Sequence, residues 1–365
     1  SWQHRGVSLE MLPLTYDEMR ARFRRTARLA GADNEAHPID AAGPDGQRLT
    51  IDVAVLGPAD ANRALIVLSG VHGVEAPINS ALQCDLLGRI QTEQLDGLRV
   101  ILVHGVNPWG MAHWRRQNES NVDLNRNWGR DGAEARPNEP YDQVHPFLCP
   151  SGSEPPTPES LIEPALALVE QHGFEWIHRA IASGQYVHPD GFHYGGTRTE
   201  QSNLVVGEAV GRLAAGIPHT LCLDLHTGDG DYGTCLMLSR AAEGTPAHEC
   251  AAERFHFVEV TPAAGDPVDP EGGHGGHLAA GLAAVLDSVH RAMTVEFGTV
   301  PDDQEVVAAR LENWLYHHGD RNDPAWARAL KDYRACYTPD DPGWARSCLD
   351  LGRRVLDTAL VSVGT

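Results

Sequence analysis

Apolar positions recur along the chain with two different periods. Tyr16 to Gly31 repeats at helical spacing, whereas Leu49 to Leu56 alternates like a half-buried strand and stops at the turn Gly57-Pro58. From Ala64 the alternation gives way to a nearly continuous apolar run, Ala64-Leu65-Ile66-Val67-Leu68-Ser69, closed by Gly70. A helical stretch from Pro77 to Arg89 follows, then a second such run from Leu98 to Val103. Strands without a polar face are buried on both sides, which predicts a sheet covered by helices on each face. Leu221 to Leu225 and Ala292 to Phe297 repeat the pattern, each preceded by a helical stretch (Asn203 to Ala215, Gly276 to Leu286). Helical periodicity returns over Asp303 to His317, Ala325 to Tyr333 and Ala345 to Val361. The expected class is α/β, with one domain over residues 1–365, residues 1–12 peripheral, and the Pro- and Gly-rich stretch 129–158 an inserted loop.

Composition narrows the functions open to such a domain. A chain with 42% hydrophobic and 22% charged residues can bury a core. Fifty acids against 29 bases leave a net charge of -21, a field that repels nucleic acid and anionic lipid. No apolar run approaches the roughly 20 residues that span a bilayer. The amino end, Ser1-Trp2-Gln3-His4-Arg5, lacks the apolar centre of a signal peptide, so the expectation is a soluble, cytoplasmic protein without nucleic-acid or membrane partners. The cysteines form no C-x-x-C pair, which signals neither a disulfide frame nor a cysteine-zinc knuckle.

Four short stretches carry candidate chemistry. In Ser69-Gly70-Val71-His72-Gly73-Val74-Glu75 an imidazole and a carboxylate sit three apart directly after a buried strand, where open α/β sheets gather their active sites. In Leu223-Asp224-Leu225-His226-Thr227-Gly228 another buried strand ends in a histidine, and alternation puts Asp224 on the same side. Together His72, Glu75 and His226 make two imidazoles and one carboxylate, a catalytic zinc set with a position left for water. Glu296, in Thr294-Val295-Glu296-Phe297-Gly298-Thr299, is an acid at the end of an apolar strand, where burial raises a carboxyl toward the range of a general base. Trp114-Arg115-Arg116-Gln117-Asn118 and Asn121-Val122-Asp123-Leu124-Asn125-Arg126-Asn127-Trp128 concentrate arginines and amides in an acidic chain, as a carboxylate or oxyanion receptor does. Asp123 suits the role of a carboxylate orienting a ligand histidine.

These stretches, with Asn107-Pro108-Trp109-Gly110, follow one another in an order that resembles the zinc carboxypeptidase superfamily of the funnelin type, most like an uncharacterised bacterial branch. The resemblance implies a twisted, mixed sheet of about eight strands with helices on both faces. It implies one Zn2+ ion on His72, Glu75 and His226, Glu296 as general base, Arg115 as carbonyl-polarising residue with Arg116 the adjacent alternative, Asn125 and Arg126 on a substrate carboxylate, and Asp123 behind His72. The chain departs from the family in one place. Where many members carry a mobile tyrosine, this sequence reads Glu271-Gly272-Gly273-His274-Gly275-Gly276-His277, which leaves His274, His277 or Tyr194 as candidate donors to the substrate. The implied activity is hydrolysis of an amide beside a free carboxylate, on a small-molecule or peptide substrate. The alternatives are an N-acyl amino acid deacylase and a zinc-binding protein without catalysis.

Overall fold

The computed structural model describes residues 12, 15–132, 137–262, 276–286 and 289–363. Its strands are β1 (Asp33–Ala42), β2 (Arg48–Leu56), β3 (Arg63–Ser69), β4 (Leu98–His104), β5 (His219–Gly228), β6 (Cys235–Ser239), β7 (Glu259–Pro262) and β8 (Val289–Gly298). They form one mixed eight-stranded sheet in the order β1-β2-β4-β3-β5-β8-β6-β7, which is the expected α/β class. β4, β3, β5 and β8 run parallel at its centre, and antiparallel pairs flank them: β1 with β2, β2 with β4, and β8 with β6.

The helices are α1 (Tyr16–Leu29), α2 (Ala76–Arg89), α3 (Pro108–His113), α4 (Glu139–Leu148), α5 (Glu159–His172), α6 (Phe174–Ala182), α7 (Gln201–Leu213), α8 (Pro246–Arg254), α9 (Leu278–Val285), α10 (Asp302–His318), α11 (Pro324–Tyr337) and α12 (Pro342–Ser362). None of the described helices is long and apolar enough to cross a membrane.

Alternation along the central strands splits the core in two. Leu65, Val67, Leu223 and Val295 pack with Leu82 of α2 and Leu356 of α12 on one face. Ile66, Leu68 and Cys222 pack with Met111 of α3, Val206 of α7 and Leu282 of α9 on the other. Both faces of β3 are thus buried, which is why its sequence has no polar period. From β3 the chain crosses to β4 on one side and returns to β5 on the other, so the carboxyl ends of β3 and β5 flank a switch point, the crevice where open sheets bind ligands.

The range 129–158, expected as a loop, contains α4. Asn138 caps that helix by accepting from Tyr141 N at 3.1 Å, Pro140 occupies its first turn, and Tyr141, Val144 and Leu148 are its buried stripe. Of residues 1–12 only Leu12 is described, and it is partly buried against the core; the rest of that stretch lies outside the described residues. All seven cysteines are free.

Candidate metal centre

β3 delivers the first two site residues. Gly70 takes φ 68°, a turn that a side chain disfavours, and His72 then caps a single 3-10 turn, Gly73–Glu75, that runs into α2. A Cβ on Gly73 would stand 2.0 Å from the Gly110 carbonyl carbon, so only glycine seats this turn against α3. Glu75 is consequently at the amino end of α2, where the helix field favours a carboxylate. β5 delivers the third: alternation holds Asp224 and His226 on one face, and His226 pairs in register with Glu296 of the neighbouring β8.

The three side chains meet. His72 Nδ1 lies 2.7 Å from Glu75 Oε1, His226 Nδ1 lies 3.0 Å from Glu75 Oε2, and the two Nδ1 atoms are 3.1 Å apart. All three residues are buried, and the atoms they offer lie within 4.8 Å of one another. Each imidazole turns its other nitrogen to a buried carboxylate. His72 Nε2 is 3.1 Å from Asp123 Oδ1, and His226 Nε2 is 2.9 Å from Asp224 Oδ2. The contact with Asp123 holds the His72 ring proton on Nε2, and the Asp224 charge beside His226 Nε2 favours a proton there. With those outer protons, both Nδ1 atoms turn lone pairs to each other and to Glu75, and a cation among them removes the repulsion. The donor set therefore fits a divalent metal ion.

Asp123 organises the surroundings. Its Oδ1 accepts from Asn125 N at 2.8 Å, and its Oδ2 takes Arg116 Nε and His193 Nδ1, at 3.2 and 3.1 Å. Burial works to raise this carboxyl, but His72, Arg116 and the His193 hydrogen bond hold it well below the usual carboxylate range. Burial also depresses the His193 imidazole, to about 4, so that it is neutral at pH 7. Arg116 reaches across to Glu75 Oε1 at 3.2 Å and so ties a candidate ligand to its support.

Two cavities adjoin this cluster. The first, about 520 Å³, is lined by His72, Glu296, Arg116, Asn125 and Arg126 among others. Burial pushes the Glu296 carboxyl well above its ordinary range, with Asp229 and Glu75 adding to the effect against the pull of His226. No ion pair to Glu296 is seen among the described residues. The second cavity, about 180 Å³, lies beyond Arg116 and is bounded by α10 and α11.

Residues 13–350 match the family described as protein of unknown function (DUF2817). The chain belongs to that family. No curated protein matches it. Among solved structures, it is similar to a metallo-carboxypeptidase from Burkholderia cenocepacia, at 14% identity over 94% of this chain and 69% of that one, with a TM-score of 0.43. It is also similar to bovine thrombin-activatable fibrinolysis inhibitor, at 12% identity over 88% and 95% of the two chains and a TM-score of 0.42. The succinylglutamate desuccinylase from Chromobacterium violaceum aligns at 14% identity over 83% and 78%, with a TM-score of 0.36.

The structure brings together His72, Glu75, His226, Asp123, Arg116, Asn125, Arg126 and Glu296 around one site. It does not bring Arg115 there. That guanidinium pairs with Glu312 at 2.7 and 3.3 Å, donates to Asn121 Oδ1 at 3.1 Å and lies 3.5 Å over the Tyr316 ring, and it lines neither cavity. Tyr194 is buried too, holding Asp123 through its backbone carbonyl at 2.7 Å, while the adjacent His193 faces the second cavity. His274 lies outside the described residues. His277 lines the first cavity, where burial, reinforced by Arg126 and Arg240, keeps its ring neutral.

Asn125 splits its contacts, its Oδ1 accepting from Leu278 N at 3.0 Å to start α9. Arg126 spends Nη1 and Nη2 on the carbonyls of Asn125 and Ala182, at 2.8 and 2.7 Å. Its Nε has no partner, and no carboxylate among the described residues neutralises it, although the residue is only 8% exposed. His193 and Asp224 are site residues whose part no motif made explicit. Their signal was position alone, one beside Tyr194 and one two before His226.

Proposed function

We propose that this protein is a zinc-dependent hydrolase that cleaves an amide bond beside a free carboxylate, in the manner of a metallocarboxypeptidase, on a small-molecule or peptide substrate. The observation that carries the reading is the convergence of three buried donors, His72, Glu75 and His226, the first of which lines a cavity that also holds the acid Glu296. Two imidazole nitrogens with one carboxylate are the donor set of catalytic zinc. When bound, zinc supplies Lewis acidity to water and to a carbonyl.

The protein's own residues supply the rest. Glu296 takes a proton from the attacking water and later hands it to the leaving nitrogen, so one carboxyl serves as base and then as acid. Its buried setting strengthens it in the first role. Arg116, in place of the expected Arg115, lies where its charge offsets that of the developing oxyanion. Arg126, a buried cation without an acid, binds the substrate carboxylate with Asn125 beside it. Asp123 orients His72.

A second reading, an N-acyl amino acid deacylase, uses the same residues. The small volume of the adjoining cavity, about 180 Å³, favours small substrates of either class over long peptides. Zinc-loaded protein assayed on dipeptides and N-acyl amino acids should cleave one class or both. Amidating the terminal carboxylate should abolish cleavage. Undiminished turnover of the amidated substrate would remove Arg126 from the proposed role.

A further inference from the structure

The cavity that holds His72 and Glu296 meets the second one at Arg116, Arg126 and Asp229, which line both. Apart from these shared residues the two ends differ. Around Glu296 the walls add Arg179 and Arg240 beside Glu175. Beyond Arg116 they hold Asp229, Asp302 and Glu305, and no ion pair to any of these three is seen among the described residues. Two amides in the same wall deepen the surplus of acceptors: Gln117 and Asn313 are 4% and 3% exposed, and Oε1 of the first and Oδ1 of the second lack any donor.

Glu305 is fixed relative to the metal cluster. Tyr337 donates its hydroxyl proton to Glu305 Oε1 at 2.6 Å, and the Tyr337 carbonyl accepts from Thr227 Oγ1 at 2.8 Å, one residue after His226. Burial lifts the Glu305 carboxyl to about 7, as expected where a carboxylate is short of cations. Buried acceptors without donors are costly, and an ammonium group satisfies several of them at once.

We infer that the second cavity binds the ammonium group of a substrate whose carboxylate is held at Arg126, so that the protein selects dipeptide-like zwitterions over their N-acylated counterparts. The inference rests on the hydrolase reading above for its substrate class, and it decides between the two forms of that reading. Asp229, immediately after the strand that carries His226, lines both cavities. Glu305 and Asp302 extend the acceptor wall along the first turn of α10.

Binding separates this inference from catalysis. Zinc-loaded Glu296→Gln protein is titrated calorimetrically with a panel of free dipeptides, their N-methyl forms, which keep the charge, and their N-acetyl forms, which lose it. Free and N-methyl forms should bind about tenfold or more tighter than N-acetyl ones. On that background Glu305→Gln and Asp229→Asn should each shrink the ratio while leaving N-acetyl affinity unchanged. A merely structural role would weaken both forms alike. Equal or tighter binding of the N-acetyl forms, a ratio indifferent to both substitutions, or binding of neither form would overturn the inference. The hydrolase reading stands or falls separately, on whether protein with Glu296 intact turns substrate over and Glu296→Gln does not.

Discussion

Arg115 and Arg116 leave the backbone side by side and end in different regions of the molecule. Arg115 is 1% exposed, forked onto Glu312 of α10 and stacked on Tyr316 of the same helix, so its charge is neutralised by one dedicated partner. Arg116 shares its charge between Glu75 and Asp123, both of which also face His72, and it lines both cavities. The first region ties α10 to the loop after α3. The second has carboxylates and imidazoles in excess of what folding requires, and it opens onto space a substrate can fill. The comparison teaches that a buried arginine is read by what else its partners touch, since the residue type and the motif are the same for both.

The difference breaks most sharply under substitution. The largest effect falls on the cavity side: Glu296→Gln should lower turnover by about 10²–10⁴-fold, the range of a general acid–base residue, with metal content unchanged. A variant with near-normal rate would remove Glu296 from the chemistry. Arg116→Ala comes next, with kcat/KM on a cleaved substrate down by about 10²–10³, as for loss of one oxyanion-stabilising donor. Arg115→Ala should act on the other axis. Removing one member of a buried ion pair costs about 3–5 kcal/mol, read as a lower melting temperature and denaturation midpoint, whereas the rate per folded molecule should change far less than in Arg116→Ala. If the two arginine variants exchanged these phenotypes, the division drawn between the regions would be wrong.

The smallest effect is a pH dependence of stability on the cavity side. The unfolded chain releases the Glu305 proton near 4.5, and the folded protein holds it to about 7. The folded state thus binds more protons across that window, and stability falls as pH rises through it. Glu305→Gln should flatten this part of the stability profile. A wild-type profile that rises from pH 4.5 to 7 by the same amount in both proteins would contradict the assignment.

The central strands were legible because burial on both faces erases the polar period, leaving runs such as Leu98 to Val103 that read as little else. The chemistry at their ends was legible for the same reason, since His226 and Glu296 interrupt apolar strands. β1 was hidden as an edge strand, exposed along most of its length and carrying Pro38, which an edge tolerates. α4 and α5 were hidden by their prolines: Pro140 sits in the first turn, where a helix tolerates it, but Pro146 and Pro164 lie inside the helices, where the sequence argues against them. Within the site, Arg116 and His193 face the cavities while their chain neighbours Arg115 and Tyr194 do not. The backbone explains both. Trp114 takes φ 57° as it ends α3, and His193 takes φ 52°. A residue in the left-handed region redirects the side chains beside it, and neither is a glycine that would have announced the turn.

All of this depends on a metal ion among His72, Glu75 and His226, and metal analysis of the purified protein tests it most directly. The account predicts one zinc ion per chain in the wild type and in Glu296→Gln, and its loss in His72→Ala and His226→Ala. Wild-type protein that takes up no metal from zinc-containing buffer, or His226→Ala protein that retains a full equivalent, would contradict it.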